Sequence, residues 1–158
     1  MLLYLVRHGE AQSELADPFQ ALSERGLGNV KNIASYLVGL NVHPDIIYHS
    51  QKMRAKQTAV VFGQFLRPRE GVQETDHLGP LDDPSEWEQR LRDRDMNIML
   101  VGHLPYLPKL FSLLTCGFID DSTIAFGPAS VVCLKRQHNG SWMLQWMLGP
   151  EVVGVLPA

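Results

Sequence analysis

The feature that most constrains the fold is a short apolar run at the start of the chain that ends in basic residues. Residues 2–6 are continuously apolar, and Arg7, His8 and Gly9 follow them directly. A run of this length is typical of a strand that is buried on both faces in a parallel sheet and opens into a loop at its carboxyl end. We therefore expect a central β-strand that carries Arg7 and His8 at that end.

Strand and helix signals alternate along the rest of the chain. Apolar residues recur every three or four positions between Val30 and Val38 and again over residues 53–66, which predicts two helices packed against a sheet. The remaining predicted elements are strands at residues 46–48, 71–75 and 97–101 and helices at residues 85–92 and 105–114. This alternation predicts an α/β fold, and because no repeat or linker interrupts it, we expect one domain over residues 1–158.

Two of these elements carry specific local signals. Ser85, followed three residues later by Glu88, predicts a capping box at the start of the 85–92 helix. Residues 129–135 and 141–147 predict a closing hairpin, with a type I′ turn at Asn139-Gly140.

Composition excludes several classes of function. The formal net charge of −3 provides no broad basic surface, so nucleic-acid binding is not expected. No apolar run is long enough for a membrane span, and the N-terminal residues fit a buried strand, so we expect a cytoplasmic protein. Cys116 and Cys133 lack metal-site spacing and fit small core residues, and the six histidines contain no zinc motif. We therefore expect no metal.

Basic or polar side chains follow three of the predicted strands. Arg7 and His8 follow the first, Ser50 and then Arg54 follow the second, and His103 follows the strand at 97–101. In open α/β sheets, ligands bind beyond the carboxyl ends of the strands. Taken singly, each residue fits a surface charge or a structural histidine. Together they suit a phosphoryl group, because one arginine can hydrogen-bond two of its oxygens at once and an imidazole can attack phosphorus.

Three motifs in this order resemble the histidine phosphatase superfamily, the phosphoglycerate-mutase-like proteins. They are Arg-His-Gly-Glu at residues 7–10, Ser-x-x-x-Arg-Ala-x-Gln-Thr at 50–58 and Gly-His at 102–103. Leu-Ser-Glu-Arg-Gly at 22–26 is similar to a helix start of the family. Gly-His-Leu-Pro at 102–105 and the segment 142–150 resemble the short SixA-type phosphohistidine phosphatases. The resemblance spans nearly the whole chain and implies a three-layer α/β/α sandwich with a mostly parallel central sheet.

The resemblance also implies a role for each matching residue. His8 is the phosphate-accepting nucleophile, Gly9 forms a tight turn after it, Arg7 and Arg54 bind the phosphate, and His103 is the fourth member of the pocket. Water then hydrolyses the phospho-His8 intermediate, and the reaction uses neither a metal nor a cofactor.

The chain also departs from the family pattern. Glu14 occupies the position of the usual phosphate-contacting asparagine, and Ser50-Gln51 replaces the usual Ser-Pro. Residues 55–102 are too few to include the helical insertion that covers the site in mutases and sugar bisphosphatases. We therefore expect an open, shallow pocket, which disfavours a mutase, because a mutase must protect its phospho-enzyme from water.

The predicted substrate depends on whether the site contains an effective general acid, the group that protonates the leaving group. The candidates are the loop carboxylates Asp82 and Asp83, although each also fits a solvated or capping role. Because an imidazole leaving group is protonated more readily than an alkoxide, phosphohistidine on a protein is the predicted substrate. One alternative is a broad phosphatase of small phosphate esters, in which Arg90, Arg92 and Arg94 add charge. Another is a non-catalytic phosphoprotein-binding module, for which arginines alone would suffice.

Overall fold

The computed structural model describes residues 1–154, and this part of the chain forms six strands and five helices. The strands are β1 (Leu2–Arg7), β2 (Ile46–His49), β3 (Val72–Glu74), β4 (Ile98–Gly102), β5 (Val131–Arg136) and β6 (Trp142–Leu148). The helices are α1 (Glu24–Gly39), α2 (Met53–Leu66), α3 (Pro84–Arg92), α4 (Tyr106–Cys116) and α5 (Pro150–Val153). No helix in this part of the chain combines the length and apolarity that a membrane span requires.

The strands form one sheet in the order β3-β2-β4-β1-β5-β6. The first four strands in this order are mutually parallel, whereas β5 runs antiparallel to β1 and β6 runs antiparallel to β5. The predicted mostly parallel sheet is therefore confirmed. At its carboxyl edge Arg7 pairs with Gly102, and His49 pairs with Val101. This register places the ends of β1, β4 and β2 side by side.

Helices cover both faces of the sheet and explain why the first strand is apolar throughout. Tyr4 and Val6 of β1 face the core formed with α1 and α2, whereas Leu3 and Leu5 face the core formed with α3 and α4. All four side chains are buried. Because both faces of β1 are covered, a polar residue at any of these positions would be buried without water. The three-layer α/β/α arrangement is confirmed.

The start of α3 differs from the prediction. Asp83, and not Ser85, is the N-cap, and its Oδ1 accepts a hydrogen bond of 2.9 Å from the Ser85 backbone N–H. Glu88 pairs with Arg92 at 2.9 Å one turn later. The predicted capping box is therefore wrong. Pro84 fits the first turn because its missing N–H would have had no helical partner there, so the helix begins one residue earlier.

The turn of the closing hairpin is also different. A type I′ turn needs a positive φ at both central residues, but only Gly140, at φ 86°, has one, whereas Asn139 does not. The Gly140 N–H donates to Gln137 O at 3.0 Å, and the Gln137 N–H donates to Ser141 O at 2.8 Å. The loop is therefore a three-residue connection that ends in a left-handed glycine, and the type I′ prediction is wrong.

The two cysteines lie in different environments. Cys133 is buried in β5, as expected of a small core residue, whereas Cys116 is exposed at the end of α4. The prediction that both cysteines lie in the core is therefore wrong for Cys116. Neither cysteine is in a disulfide.

Candidate active site

The loop that follows β1 is anchored by backbone hydrogen bonds to its neighbours on both sides. The Arg7 N–H donates to Ser130 O, the His8 N–H donates to Gly102 O, and the Ala129 N–H donates to His8 O, each at 3.1 Å. These bonds tie the strand end both to β4 and to the segment that leads into β5. The backbone of His8 is therefore positioned by the sheet, which is the most rigid part of the fold.

Gly9 and Gly26 allow α1 to approach this loop closely. The Gly9 N–H donates to Thr58 Oγ1 at 3.0 Å, and a Cβ at Gly9 would lie 2.6 Å from Cγ2 of Val30. A Cβ at Gly26 would lie only 2.0 Å from the carbonyl oxygen of Glu10. Gly9 does not have a positive φ. It is therefore needed because a side chain would not fit, and not because the turn demands a conformation that only glycine adopts.

The imidazole of His8 is held in a single tautomer. Its Nδ1 lies 2.7 Å from Gly9 O, and because a carbonyl oxygen can only accept, Nδ1 carries the proton. Nε2 therefore has a free lone pair, which accepts a hydrogen bond of 3.3 Å from Arg54 Nε. Burial, assisted by the charges of Arg54 and Arg7, lowers the pKa of His8 to about 4, although the bond to Gly9 O opposes this shift. His8 is thus a neutral imidazole at neutral pH.

Two guanidinium groups provide the positive charge of the site. Arg54 lies in the first turn of α2 and donates from Nη1 to Gln20 Oε1 at 3.0 Å. Arg7 donates from Nη1 to Phe126 O at 2.8 Å, and its buried Nε has no hydrogen-bond partner among residues 1–154. Burial lowers the pKa of both arginines, but an ordinary arginine pKa lies so far above neutrality that both remain charged.

His103, at the end of β4, stacks obliquely against His8. The ring centroids are 5.0 Å apart and the planes are inclined by 53°. His103 is only 1% exposed, and its Nε2 lies 2.5 Å from Ser50 Oγ. Its buried Nδ1 has no hydrogen-bond partner in the described part of the chain. Burial, followed by the charges of His8 and Arg54, lowers the pKa of His103 to about 3, so this ring is neutral as well.

Arg7, His8 and Arg54 border an open depression of about 360 Å³, whereas the buried His103 does not line it. Its lining residues are Arg7, His8, Glu10, Ala11, Gln12, Gln20, Arg54 and Pro128. A second groove begins at Ser50 and Lys52 and extends to Asp82. The site is therefore shallow and accessible, as the short middle of the chain predicts.

The structure brings the four predicted site residues together around His8. Arg7 and Arg54 line the same depression as His8, and the buried ring of His103 packs against the His8 ring. Glu14, which replaces the usual asparagine, is exposed and does not line the depression. Gln20 instead contributes an amide beside Arg54.

Both candidate general acids accept hydrogen bonds from nearby backbone N–H groups. Asp83 caps α3, and hydrogen bonds from Ser85 hold the pKa of its carboxyl below the ordinary value. A carboxyl in this environment is poorly suited to keep the proton that a general acid must donate. Asp82 accepts a hydrogen bond of 2.7 Å from the Gly79 N–H and lines the groove.

The three arginines that were considered as extra substrate contacts have protein partners on or beside α3. Arg90 pairs with Asp76 at 2.8 Å, Arg92 pairs with Glu88 at 2.9 Å, and Arg94 donates to the Tyr48 hydroxyl at 3.4 Å. None of the three lines the depression around His8. These arginines therefore form ion pairs and hydrogen bonds around α3, away from the depression.

Sequence reasoning gave no role to three polar residues of the site. Ser50 and Thr58 lie within the motif at 50–58, so a signal for them existed, but their partners His103 and Gly9 are distant in sequence. Gln20 had no signal, because its contact with Arg54 depends on the path of the loop between β1 and α1.

Among residues 1–154, no three His, Cys, Asp or Glu side chains are grouped in a way that would hold a metal ion. Arg7 and Arg54 supply the positive charge of this site.

A family model supports the assignment of these motifs. The model of the histidine phosphatase superfamily (branch 1) matches residues 3–95, a segment that includes Arg7, His8 and Arg54 and ends before His103. A sequence comparison with curated proteins finds no match.

Solved structures share the fold over nearly the whole chain. The protein histidine phosphatase SixA complexed with tungstate has a TM-score of 0.84 at 22% identity, over 97% of this chain and 99% of that chain. The proposed phosphohistidine phosphatase SixA of Agrobacterium tumefaciens has a TM-score of 0.76 at 21% identity, over 94% and 97%. A phosphoserine phosphatase mutant of Entamoeba histolytica in complex with phosphoserine has a TM-score of 0.74 at 15% identity, over 95% and 98%. These likenesses confirm the phosphoglycerate-mutase-like fold.

Proposed function

The chain belongs to the histidine phosphatase superfamily, and on this basis we propose that it is a phosphatase that works through a phospho-His8 intermediate. The observation that carries the proposal is the environment of His8. Its proton is held on Nδ1 by Gly9 O, and its Nε2 lone pair lies beside the guanidinium of Arg54. A neutral, oriented imidazole next to two arginines has the properties of a nucleophile for a phosphoryl group.

In the first step, Nε2 of His8 attacks phosphorus in line with the leaving group. A phosphorus–nitrogen bond forms, the bond from phosphorus to the leaving group breaks, and the leaving group takes the electron pair. Arg7 and Arg54 stabilise the phosphoryl oxygens, which then take over the hydrogen bond that Arg54 donates to Nε2 in the free enzyme. Gly9 O stabilises the positive charge on the phosphorylated ring through its bond to Nδ1–H.

In the second step, water attacks the phosphorus of phospho-His8. The phosphorus–nitrogen bond breaks, its electron pair returns to Nε2, and the water oxygen and both of its protons leave as part of orthophosphate, so that His8 is neutral again. The open depression supports this step, because it gives water direct access to the intermediate. No step requires a metal or a cofactor, since the arginines supply the charge that stabilises the oxygens.

The proposed substrate is phosphohistidine carried on a protein. The likeness to the SixA structures supports it, as does the open pocket, which leaves room for a side chain on a folded partner. Two carboxylates, Asp83 and Glu10, are already engaged in other contacts. Asp83 caps a helix, and Glu10 accepts a hydrogen bond of 2.9 Å from Ser23 and lies 3.8 Å from Arg25. A leaving group that is easily protonated suits such a site.

A small phosphate ester is the second candidate substrate. The same fold occurs in the phosphoserine phosphatase of Entamoeba histolytica, and Asp82 lines a groove that adjoins Ser50. For this substrate, Asp82 is the proposed donor of a proton to the alkoxide leaving group. A non-catalytic binding module is disfavoured, since phosphate binding alone does not require the neutral, oriented imidazole of His8.

The proposal extends to the organisation and location of the chain. One histidine phosphatase domain over residues 1–158 is supported by a sheet whose strands extend from residue 2 to residue 148, although residues 155–158 lie outside the described part. A cytoplasmic location is supported by the two free thiols, since exposed free thiols such as Cys116 are typical of reducing compartments.

Phosphate release tests the proposal directly. Wild type, His8→Ala and the control His138→Ala, which changes an exposed histidine in the β5–β6 loop, are compared on a phosphohistidine protein and on phosphoserine, with EDTA present. We expect wild type and His138→Ala to release phosphate, faster from phosphohistidine, and His8→Ala to release none above background. Absence of release by wild type from both substrates would refute the proposed activity. A preference for phosphoserine would refute the phosphohistidine assignment alone.

A further inference from the structure

Ser50 and His103 form a buried hydrogen bond between the ends of two neighbouring strands. Ser50 follows β2 and is 2% exposed, and its Oγ lies 2.5 Å from Nε2 of His103, which follows β4. The bond joins residues 53 positions apart. Because both residues are almost completely buried, this bond satisfies two polar groups that have little access to water.

The surroundings of Ser50 determine which group donates. The Lys52 backbone N–H donates to Ser50 Oγ at 3.4 Å, so the oxygen already serves as an acceptor. The oxygen could accept a second hydrogen bond, but its one proton needs an acceptor, and among residues 1–154 the partner of Oγ that can accept is Nε2 of His103. Ser50 therefore donates its proton to Nε2. Because Nε2 accepts this hydrogen bond, the single proton of the neutral His103 ring lies on Nδ1.

The position of that proton matters for a phosphoryl group. With Nε2 occupied by Ser50, the ring nitrogen that remains for a ligand is Nδ1, which is buried and has no protein partner among residues 1–154. As Nδ1–H it can donate to an oxygen of a phosphoryl group bound at His8, whose ring centroid lies 5.0 Å from that of His103. In the other tautomer, its lone pair would face the oxygen and repel it.

We propose that Ser50 is a positioning residue that fixes the Nδ1–H tautomer of His103, so that this ring donates to the phosphoryl group in the transition state. The inference rests on the proposed phosphatase function. In this arrangement the two rings have different roles. His8 presents the lone pair of Nε2, and His103 presents the N–H of Nδ1.

Ser50→Ala removes the hydroxyl that donates to Nε2 and reduces the side-chain volume only slightly. The His103 ring is then free to carry its proton on either nitrogen, and a fraction of the molecules lose the phosphoryl contact. We expect kcat to fall roughly tenfold with KM nearly unchanged, because the contact strengthens as charge develops on the oxygens. Ser50→Thr retains the hydroxyl and is expected to restore most of the rate.

The experiment combines kinetics with nitrogen NMR of the histidine rings. The protein is labelled with ¹⁵N-imidazole histidine, the His103 signals are assigned by their loss in His103→Asn, and the tautomer is read without substrate near pH 7. Ser112→Ala is the matched control, because Ser112 is also buried and donates outside the site, to Phe118 O at 2.8 Å. We expect Nδ1–H in wild type, Ser50→Thr and Ser112→Ala, and a mixture of tautomers in Ser50→Ala.

Two results would overturn the inference. They are a proton on Nε2 of His103 in wild type, and an unchanged tautomer together with an unchanged kcat in Ser50→Ala. The NMR result does not depend on activity. A wild-type protein that shows the Nδ1–H tautomer but releases no phosphate would therefore refute the proposed function and the catalytic role of the contact, whereas a mixture of tautomers in Ser50→Ala would still establish the effect of Ser50 on the ring.

Discussion

The buried state of His103 predicts that the protein loses stability as the pH falls below neutrality. In the unfolded chain, a histidine has an ordinary pKa of about 6.5. In the folded protein, burial lowers the pKa of His103 to about 3. Between these values the unfolded chain binds a proton that the folded protein does not bind. Stability therefore falls as the pH is lowered from about 6.5 towards 3, and is fully present above that range.

The magnitude follows from the two pKa values. Between pH 7 and pH 5 the unfolded histidine becomes almost fully protonated while His103 stays neutral, which costs about 2 kcal/mol of unfolding free energy. His8, with a folded pKa of about 4, costs about the same over this interval. The two histidines together account for about 4 kcal/mol, a large part of the stability of an ordinary domain.

Urea unfolding at pH 7, 6 and 5 measures this loss in wild type and in His103→Asn. The variant cannot titrate at this position, so its stability should fall by about 2 kcal/mol less than that of wild type over the same interval. Carboxyl groups contribute equally to both proteins and cancel in the comparison. His138→Asn, at an exposed position, should behave like wild type. Equal losses in wild type and His103→Asn would refute the burial of a neutral ring.

Three further predictions test the local structure. Gly26→Ala places a methyl group 2.0 Å from Glu10 O and should reduce the unfolding free energy by about 2 kcal/mol in urea, whereas Gly28→Ala, with open space around it in the same helix, should be neutral or stabilising. If both variants unfold alike, the close approach is not real. Arg54→Lys should lower kcat/KM about a hundredfold, because a lysine cannot replace the planar pair of donors, and a retained rate would contradict its role as a phosphate clamp. Asp83→Ala should cost about 1 kcal/mol in urea unfolding and leave kcat within a factor of about two, since the carboxylate caps α3, and a large loss of kcat would identify it instead as the acid.

Much of the fold could be predicted because each strand and helix has its own periodicity. Residues 2–6 are apolar at every position because both faces of β1 are covered, and the 53–66 helix was predicted with its observed bounds because its apolar residues lie on one face. The strand ends met as expected, since parallel strands in register bring Arg7 beside Gly102.

The errors lie where neighbouring residues compete for the same local role. Asp83 and Ser85 are both good N-caps, and only the contacts of the folded loop select Asp83. Asn139-Gly140 fits two kinds of turn equally well in sequence. The partners of Ser50 and Gln20 could not be predicted, because each contact joins segments that are brought together only by the complete sheet.

The most direct test of the central claim is to trap the phosphorylated enzyme. Wild type is mixed with a ³²P-labelled phosphohistidine protein, quenched in alkali within milliseconds to seconds, digested and mapped, since a phosphorus–nitrogen bond on histidine survives alkali. The account predicts transient label on the peptide that contains His8, at the ring Nε2, and none in His8→Ala. Steady release of phosphate by wild type with no label on His8 at any time would contradict it.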